Sequence, residues 1–68
     1  MKMNNYDLTV WETDEGIIIR IREHFTGCGY YCDVDNRYDK CFDNTTDLEA
    51  FLEKSNATYV GQDSENDW

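Results

Sequence analysis

Three segments in the first half of the chain alternate apolar and polar residues, and glycine-bearing turns separate them. Residues 6–12 place Leu8 and Val10 on one face, and Asp7, Thr9 and Trp11 on the other. Residues 17–25 set Ile17, Ile19 and Ile21 against Ile18, Arg20, Arg22 and His24. Residues 30–35 set Tyr30, Cys32 and Val34 against Tyr31, Asp33 and Asp35. Turns are expected at Thr13-Asp14-Glu15-Gly16, where Gly16 is free to take a positive φ, and at Thr26-Gly27-Cys28-Gly29. Side chains that repeat every second residue, with short turns between, specify antiparallel hairpins with one apolar face.

Closing each turn over four residues sets Val10 opposite Ile19, Leu8 opposite Ile21 and Ile21 opposite Val34. It also sets Arg22 opposite Asp33 and Arg20 opposite Asp35. Opposite charges matched across strands stabilise by about 0.2–1 kcal/mol per pair. Glu23 falls on the apolar face near a strand end, where a bulge is one way to turn it outward. A short fourth strand is expected over 38–42. A helix then starts from Thr46 as N-cap with Glu49 three residues on, and Asp47 at the positive end of its dipole. Leu48, Phe51 and Leu52 form its apolar stripe, and Ser55-Asn56 ends it. Thr58-Tyr59-Val60 supplies a last short strand. The expected fold is α+β: an antiparallel β-meander of three to five strands with one amphipathic helix packed on one face. Residues 1–61 read as a single small domain and residues 62–68 as an acidic, frayed tail. The expected core is Leu8, Val10, Ile17, Ile19, Ile21, Val34, Leu48, Phe51 and Leu52. The second sheet face, with Trp11, Ile18 and Tyr31, is expected to lie open.

Charge narrows the function. Fifteen acids stand against six bases in 68 residues, a formal net charge of −9. Such self-repulsion opposes a compact state, so it serves either solubility or the binding of something basic. At 40% hydrophobic and 15% aromatic the chain is too apolar for a disordered acidic tail. No apolar run approaches the roughly 20 residues that cross a membrane, and residues 1–7 carry no hydrophobic signal region. The protein is therefore expected in the cytoplasm. Its odd set of cysteines, Cys28, Cys32 and Cys41, is expected as three reduced thiols.

Four candidate sites follow. His24, Cys28, Cys32 and Cys41 are zinc-type ligands, but they lack a C-x-x-C knuckle. Asp33, Asp35, Asn36 and Asp39 resemble the start of a calcium loop, but Tyr38 stands where its glycine belongs and Asn44 where its bidentate Glu belongs. No catalytic motif appears, and no enzyme, metal or cofactor is expected. The fourth candidate is the acid series itself. Asp33 and Asp35 stand about 6.6–6.8 Å apart on a strand, and Asp39, Asp43, Asp47, Glu49 and Glu53 continue the series. Carboxylates held at such intervals stand in for nucleic-acid phosphates before a Lys- and Arg-lined surface. These seven acids, with Trp11 and Tyr31 as apolar contacts, form the expected partner-binding set.

In size, charge and layout the chain resembles small phage-encoded inhibitors, among them anti-CRISPR proteins and other DNA mimics. In residues 41–52 a strand ending in Phe42-Asp43 leads into a capped amphipathic helix, similar to the layout of some type I anti-CRISPR proteins. The resemblance implies an inhibitor that occupies the basic nucleic-acid site of a host defence or DNA-processing complex, without binding nucleic acid itself. Two other readings remain: a protein-interaction module or homodimer using the uncovered sheet face, and a small Cys/His metal-binding protein.

Overall fold

A computed structural model describes residues 5–68, apart from the side chain of Asp67. The reading of residues 1–4 lies outside the described residues. The fold is α+β. Five strands, β1 (Thr9–Glu12), β2 (Ile18–Phe25), β3 (Cys28–Val34), β4 (Tyr38–Phe42) and β5 (Thr58–Gln62), form one antiparallel sheet in the order β4-β3-β2-β1-β5. Helix α1 (Thr45–Lys54) connects β4 to β5 and returns the chain to the far edge of the sheet. Its Leu48 and Leu52 pack into a core with Ile19, Ile21, Cys32, Val34, Tyr6, Trp11 and Ala57. Ile17, Tyr30, Phe42 and Phe51 line that core from its margins.

The first hairpin departs from the expected register. Its loop runs over five residues, Thr13 to Ile17, because Glu12 pairs with Ile18. Thr13 organises it: its N–H donates to the Ile17 carbonyl at 2.9 Å, and its hydroxyl accepts the N–H groups of Glu15 and Ile17 at 3.2 and 3.1 Å. A slip of one residue sends every side chain of a strand to the other face. Trp11 is accordingly inside the core, opposite Ile19 and only 1% exposed, and Val10 faces out opposite Arg20. Trp11 as a surface contact is thus corrected. So are Leu8 and Val10 as core residues; Leu8 takes φ 56 in a turn that precedes β1. The indole of Trp11 donates to the Thr9 hydroxyl at 3.0 Å, and that hydroxyl donates to the Tyr6 carbonyl at 2.7 Å. This relay satisfies the buried indole and explains why Thr9 is buried.

The second hairpin closes through Thr26 and Gly27, both at positive φ, 53 and 78, the geometry of a tight type I′ connection. Ile19 therefore meets Val34, Arg20 meets Asp33 and Arg22 meets Tyr31. This slip of two residues preserves the faces and changes every charge partner. Glu23 stays on the core side. Its carboxylate accepts the Tyr6 N–H at 3.0 Å, and its own N–H donates to Asp7 at 2.9 Å. The irregular residue is instead His24, exposed and at φ 56, after which Phe25 follows Arg22 onto the second face.

Helix α1 begins earlier than expected. Asn44, not Thr46, is the N-cap, and its side chain accepts the Asp47 N–H at 2.8 Å. The stop is as the sequence indicates: Ser55 caps the end and Asn56 turns left-handed at φ 53.

Cys28 and Cys41 are disulfide-bonded, with Cα atoms 5.7 Å apart, which corrects the expectation of three free thiols. The hairpin brings the end of β4 beside the start of β3, where a Cβ on Gly29 would lie 3.2 Å from the Phe42 carbonyl oxygen. Bridging a loop of this size stabilises by about 3 kcal/mol. Cys32 remains a free, buried thiol.

Two outcomes follow. Trp11→Ala should cost about 3–5 kcal/mol in denaturant unfolding, and Val10→Ala under about 1 kcal/mol; equal costs would restore the facing of β1 expected from its alternation. Thiol titration of the unfolded, unreduced chain should find one reactive thiol, and reduction should lower the unfolding midpoint.

Candidate functional site

The sheet face turned away from α1 carries Arg20 and Arg22 of β2, Tyr31 and Asp33 of β3 and Asp39 of β4, and two groups of side chains organise it. The first is acidic. Asp33 and Asp39 stand directly opposite each other across β3 and β4. Asp39 accepts the Tyr31 hydroxyl at 2.7 Å. That hydrogen bond, then burial and the negative charges of Asp39 and Asp33, push the Tyr31 phenol up to about 12. Asp35 lies in the connecting turn at φ 56, 3.5 Å from the Arg37 guanidinium. Among the described residues Asp33 makes no ion pair, although Arg20 is its ladder partner.

The arginines are engaged elsewhere, by the second group. The chain beyond β5 turns back across this face through a short 3-10 turn, Glu65–Asp67. Asp63 takes the Arg20 Nε at 2.6 Å, and Glu65 takes Arg22 at 3.4 Å. The Trp68 ring lies 4.7 Å from the Arg20 guanidinium and packs edge-on against Phe25 and Tyr31 at 5.2 and 5.8 Å. Its indole N–H donates to Asp63 at 3.2 Å. Burial alone would raise the Asp63 carboxyl. The hydrogen bonds from Arg20, the Ser64 N–H and the Trp68 indole, with the Arg20 charge, outweigh it and hold the group below its ordinary value. The expected pairs Arg20 with Asp35 and Arg22 with Asp33 do not form. The 62–68 segment, expected to fray, supplies their partners and lies over the face expected to be open.

The seven candidate acids do not form one row. Asp33, Asp35 and Asp39 share the β3–β4 hairpin. Asp43 is exposed where β4 runs into α1. Asp47 and Glu53 are exposed on α1, and Glu49, half-buried, accepts the Tyr6 hydroxyl at 2.7 Å. The helix acids thus belong to the opposite side of the sheet from Asp33 and Asp39. Of the two apolar candidates, Trp11 is in the core, and the Tyr31 ring packs against both Phe25 and Trp68. Sequence reasoning missed Asp63, Glu65 and Trp68. A lone tryptophan in a polar segment, facing two arginines spaced two apart on a strand, was the available signal.

For the metal reading, the disulfide takes Cys28 and Cys41, and burial pushes the Cys32 thiol up to about 12. Among the described residues, no three His, Cys, Asp or Glu side chains converge to hold an ion. A cavity of about 200 Å³ lies beside the end of α1, floored by Ile17, Ile19 and Val34. Glu15 and the Tyr38 phenol are the titratable groups on its wall. No helix among the described residues is long and apolar enough to cross a membrane. No protein family, curated protein or solved structure matches the chain.

The depressed Asp63 carboxyl has a pH consequence. Its folded value lies below the unfolded value of about 3.9. Its contribution to stability is therefore complete above about pH 4 and is lost as acid protonates the folded carboxylate. Trp68 emission should shift to that of a solvated indole in this acid range, and Asp63→Asn should remove the transition. An unchanged acid profile in Asp63→Asn would show that this carboxylate does not hold the segment.

Proposed function

We propose that the protein is an acidic inhibitor whose β3–β4 hairpin docks on the basic nucleic-acid-binding surface of a host defence complex, of the CRISPR type, or of a DNA-processing complex. The observation that supports this reading is the direct opposition of Asp33 and Asp39 across the ladder. Like charges facing each other across strands cost stability. Here the neighbouring arginines are committed to Asp63 and Glu65 instead of relieving that cost. A Lys or Arg of a partner would relieve it on binding, as it relieves the charge of a phosphate. Asp35 at the hairpin tip and the exposed Asp43 extend the acidic stretch along the chain. The phage-inhibitor resemblance supports the class of target, and the overall charge of −9 favours fast, salt-sensitive association with it.

Docking through an open sheet face is the weaker reading, since Trp11 is internal and Trp68 covers Tyr31. Action in a host cytoplasm would expose Cys28 and Cys41 to reducing conditions, in which such bridges are rare. Inhibition in that compartment requires the hairpin to hold its shape with these thiols reduced.

The test uses the target recovered from a host lysate at low salt and eluted with a salt gradient. Asp33→Asn with Asp39→Asn should weaken binding by about 1.5–3 kcal/mol for each charge-assisted hydrogen bond removed. The fold should keep its stability or gain a few tenths of a kcal/mol as the like-charge pair is relieved. Nucleic acid should compete with the protein for the target, with and without reductant. A target that binds both at once, with neither affinity changed, would refute the proposal.

A further inference from the structure

The segment that crosses the second face has the composition of a ligand. It brings two carboxylates, Asp63 and Glu65, and one indole, Trp68, to a surface of two guanidiniums and two aromatic rings. We propose that Arg20, Arg22, Phe25 and Tyr31 form a binding site for an acidic peptide segment that carries an aromatic residue, and that residues 63–68 are its displaceable resident.

Three observations carry this. The site is built from both halves of a recognition chemistry: Arg20 and Arg22 form ion pairs through their donors, and their planar groups also face the rings of Trp68 and Phe25. Phe25 and Tyr31 close on each other at 5.0 Å and give Trp68 an aromatic seat. Next, the hydrophobic core lies on the other side of the sheet, and Trp68, Phe25 and Tyr31 are outside it. The segment can leave without opening that core. Finally, its attachment is mainly by side chains. Among the described side chains it meets the sheet through the ion pairs and ring contacts already named, its start is held by the Asp63 N–H bond to the Leu8 carbonyl at 2.7 Å, and the Glu65 pair is exposed. The exposed Glu65 pair and the ring contacts of Trp68 are of a kind that another chain can supply in their place, while the Asp63 pair is the more buried anchor.

A peptide suits the site better than a nucleic-acid strand. The occupant seen there is a peptide, and Asp33 and Asp39 stand beside Tyr31, where they would repel a run of phosphates. The resident segment is tethered, so it competes at an effective concentration on the order of millimolar. A ligand from another chain must displace it or arrive when it is loosened. None of the acids assigned to the inhibitory surface is a member of the site, and the peptide measurements need no target, so a failure here is distinguishable from a failure of that reading.

The experiment uses the full chain and a synthetic peptide of residues 61–68 with a fluorescent label at its N-terminus. Trp68→Ala should bind this peptide about tenfold or more tightly than the wild-type chain by fluorescence anisotropy, because the resident no longer has its anchor. Adding Arg22→Gln should reverse that gain at least fivefold. A second measurement needs no variant. The wild-type chain is titrated with an unlabelled peptide whose indole is replaced by a phenyl ring, and Trp68 emission should move to longer wavelength with a midpoint near millimolar. No binding to a folded Trp68→Ala chain together with no emission change in the wild type overturns the proposal. So does peptide binding that Arg22→Gln leaves unchanged, or an oligonucleotide that binds the Trp68→Ala chain in place of the peptide. If Trp68→Ala does not fold, the wild-type titration decides alone.

Discussion

The fold depends on the Thr13 clasp. Its hydroxyl and backbone hold a five-residue loop between β1 and β2, and that one extra residue decides which side of β1 faces α1. With the loop one residue shorter, Leu8 and Val10 would point inward, and Trp11 would be an exposed ring. With the clasp in place, Trp11 is internal, stacked near Tyr6 and edge-on to Tyr59, which ties the two sides of β1 to one large buried side chain. A tryptophan buries far more apolar area than a valine, so the observed register puts more surface into a small core. It does so at the cost of a buried indole N–H, and Thr9 and Tyr6 meet that cost with a two-step hydrogen-bond relay.

The same register organises charge. Arg20 and Arg22 lie on the face away from the helix, where Asp33 would be the nearest strand partner for the first of them. A segment distant in sequence takes both arginines. The sheet is thereby covered on its second side by ion pairs and one aromatic cluster, not by a second helix. The consequence is an uneven distribution of charge. Asp63 and Glu65 are neutralised, and Asp33 and Asp39 on the β3–β4 hairpin are left facing one another.

Much of the architecture was legible because it follows from local rules. The period-two pattern of Ile17, Ile19 and Ile21, the glycine turns and the stripe of Leu48, Phe51 and Leu52 are each sufficient to define an element. The strand at 38–42 and the left-handed stop at Asn56 were visible in the same way. Apart from the helix N-cap, the errors concern which segments meet. A loop of four or five residues looks alike in sequence, yet the fifth residue inverted β1, and the two-residue connection between β2 and β3 changed every cross-strand charge pair. The Cys28–Cys41 bond depends on a Cα separation that only the β3–β4 register sets, so composition and an assumed compartment pointed the wrong way. The acids suffered similarly. Their spacing along the chain is regular, but β4 and α1 carry them to opposite sides of the sheet.

The disulfide and the acidic hairpin meet in the same two strands, and this bears on how the hairpin is held. Asp33 opposes Asp39 in the middle of the β3–β4 ladder, an arrangement that favours separation of the strands. The tight Asp35-Asn36 turn closes the ladder at one end, and the Cys28–Cys41 bond closes it near the other. Edge strands such as β4 are where a sheet opens first. A covalent tie at the open end of the hairpin therefore offsets the repulsion at its centre. It stiffens the ladder that presents the two facing carboxylates; with the thiols reduced, the Asp35-Asn36 turn and the ladder hydrogen bonds must hold that geometry alone.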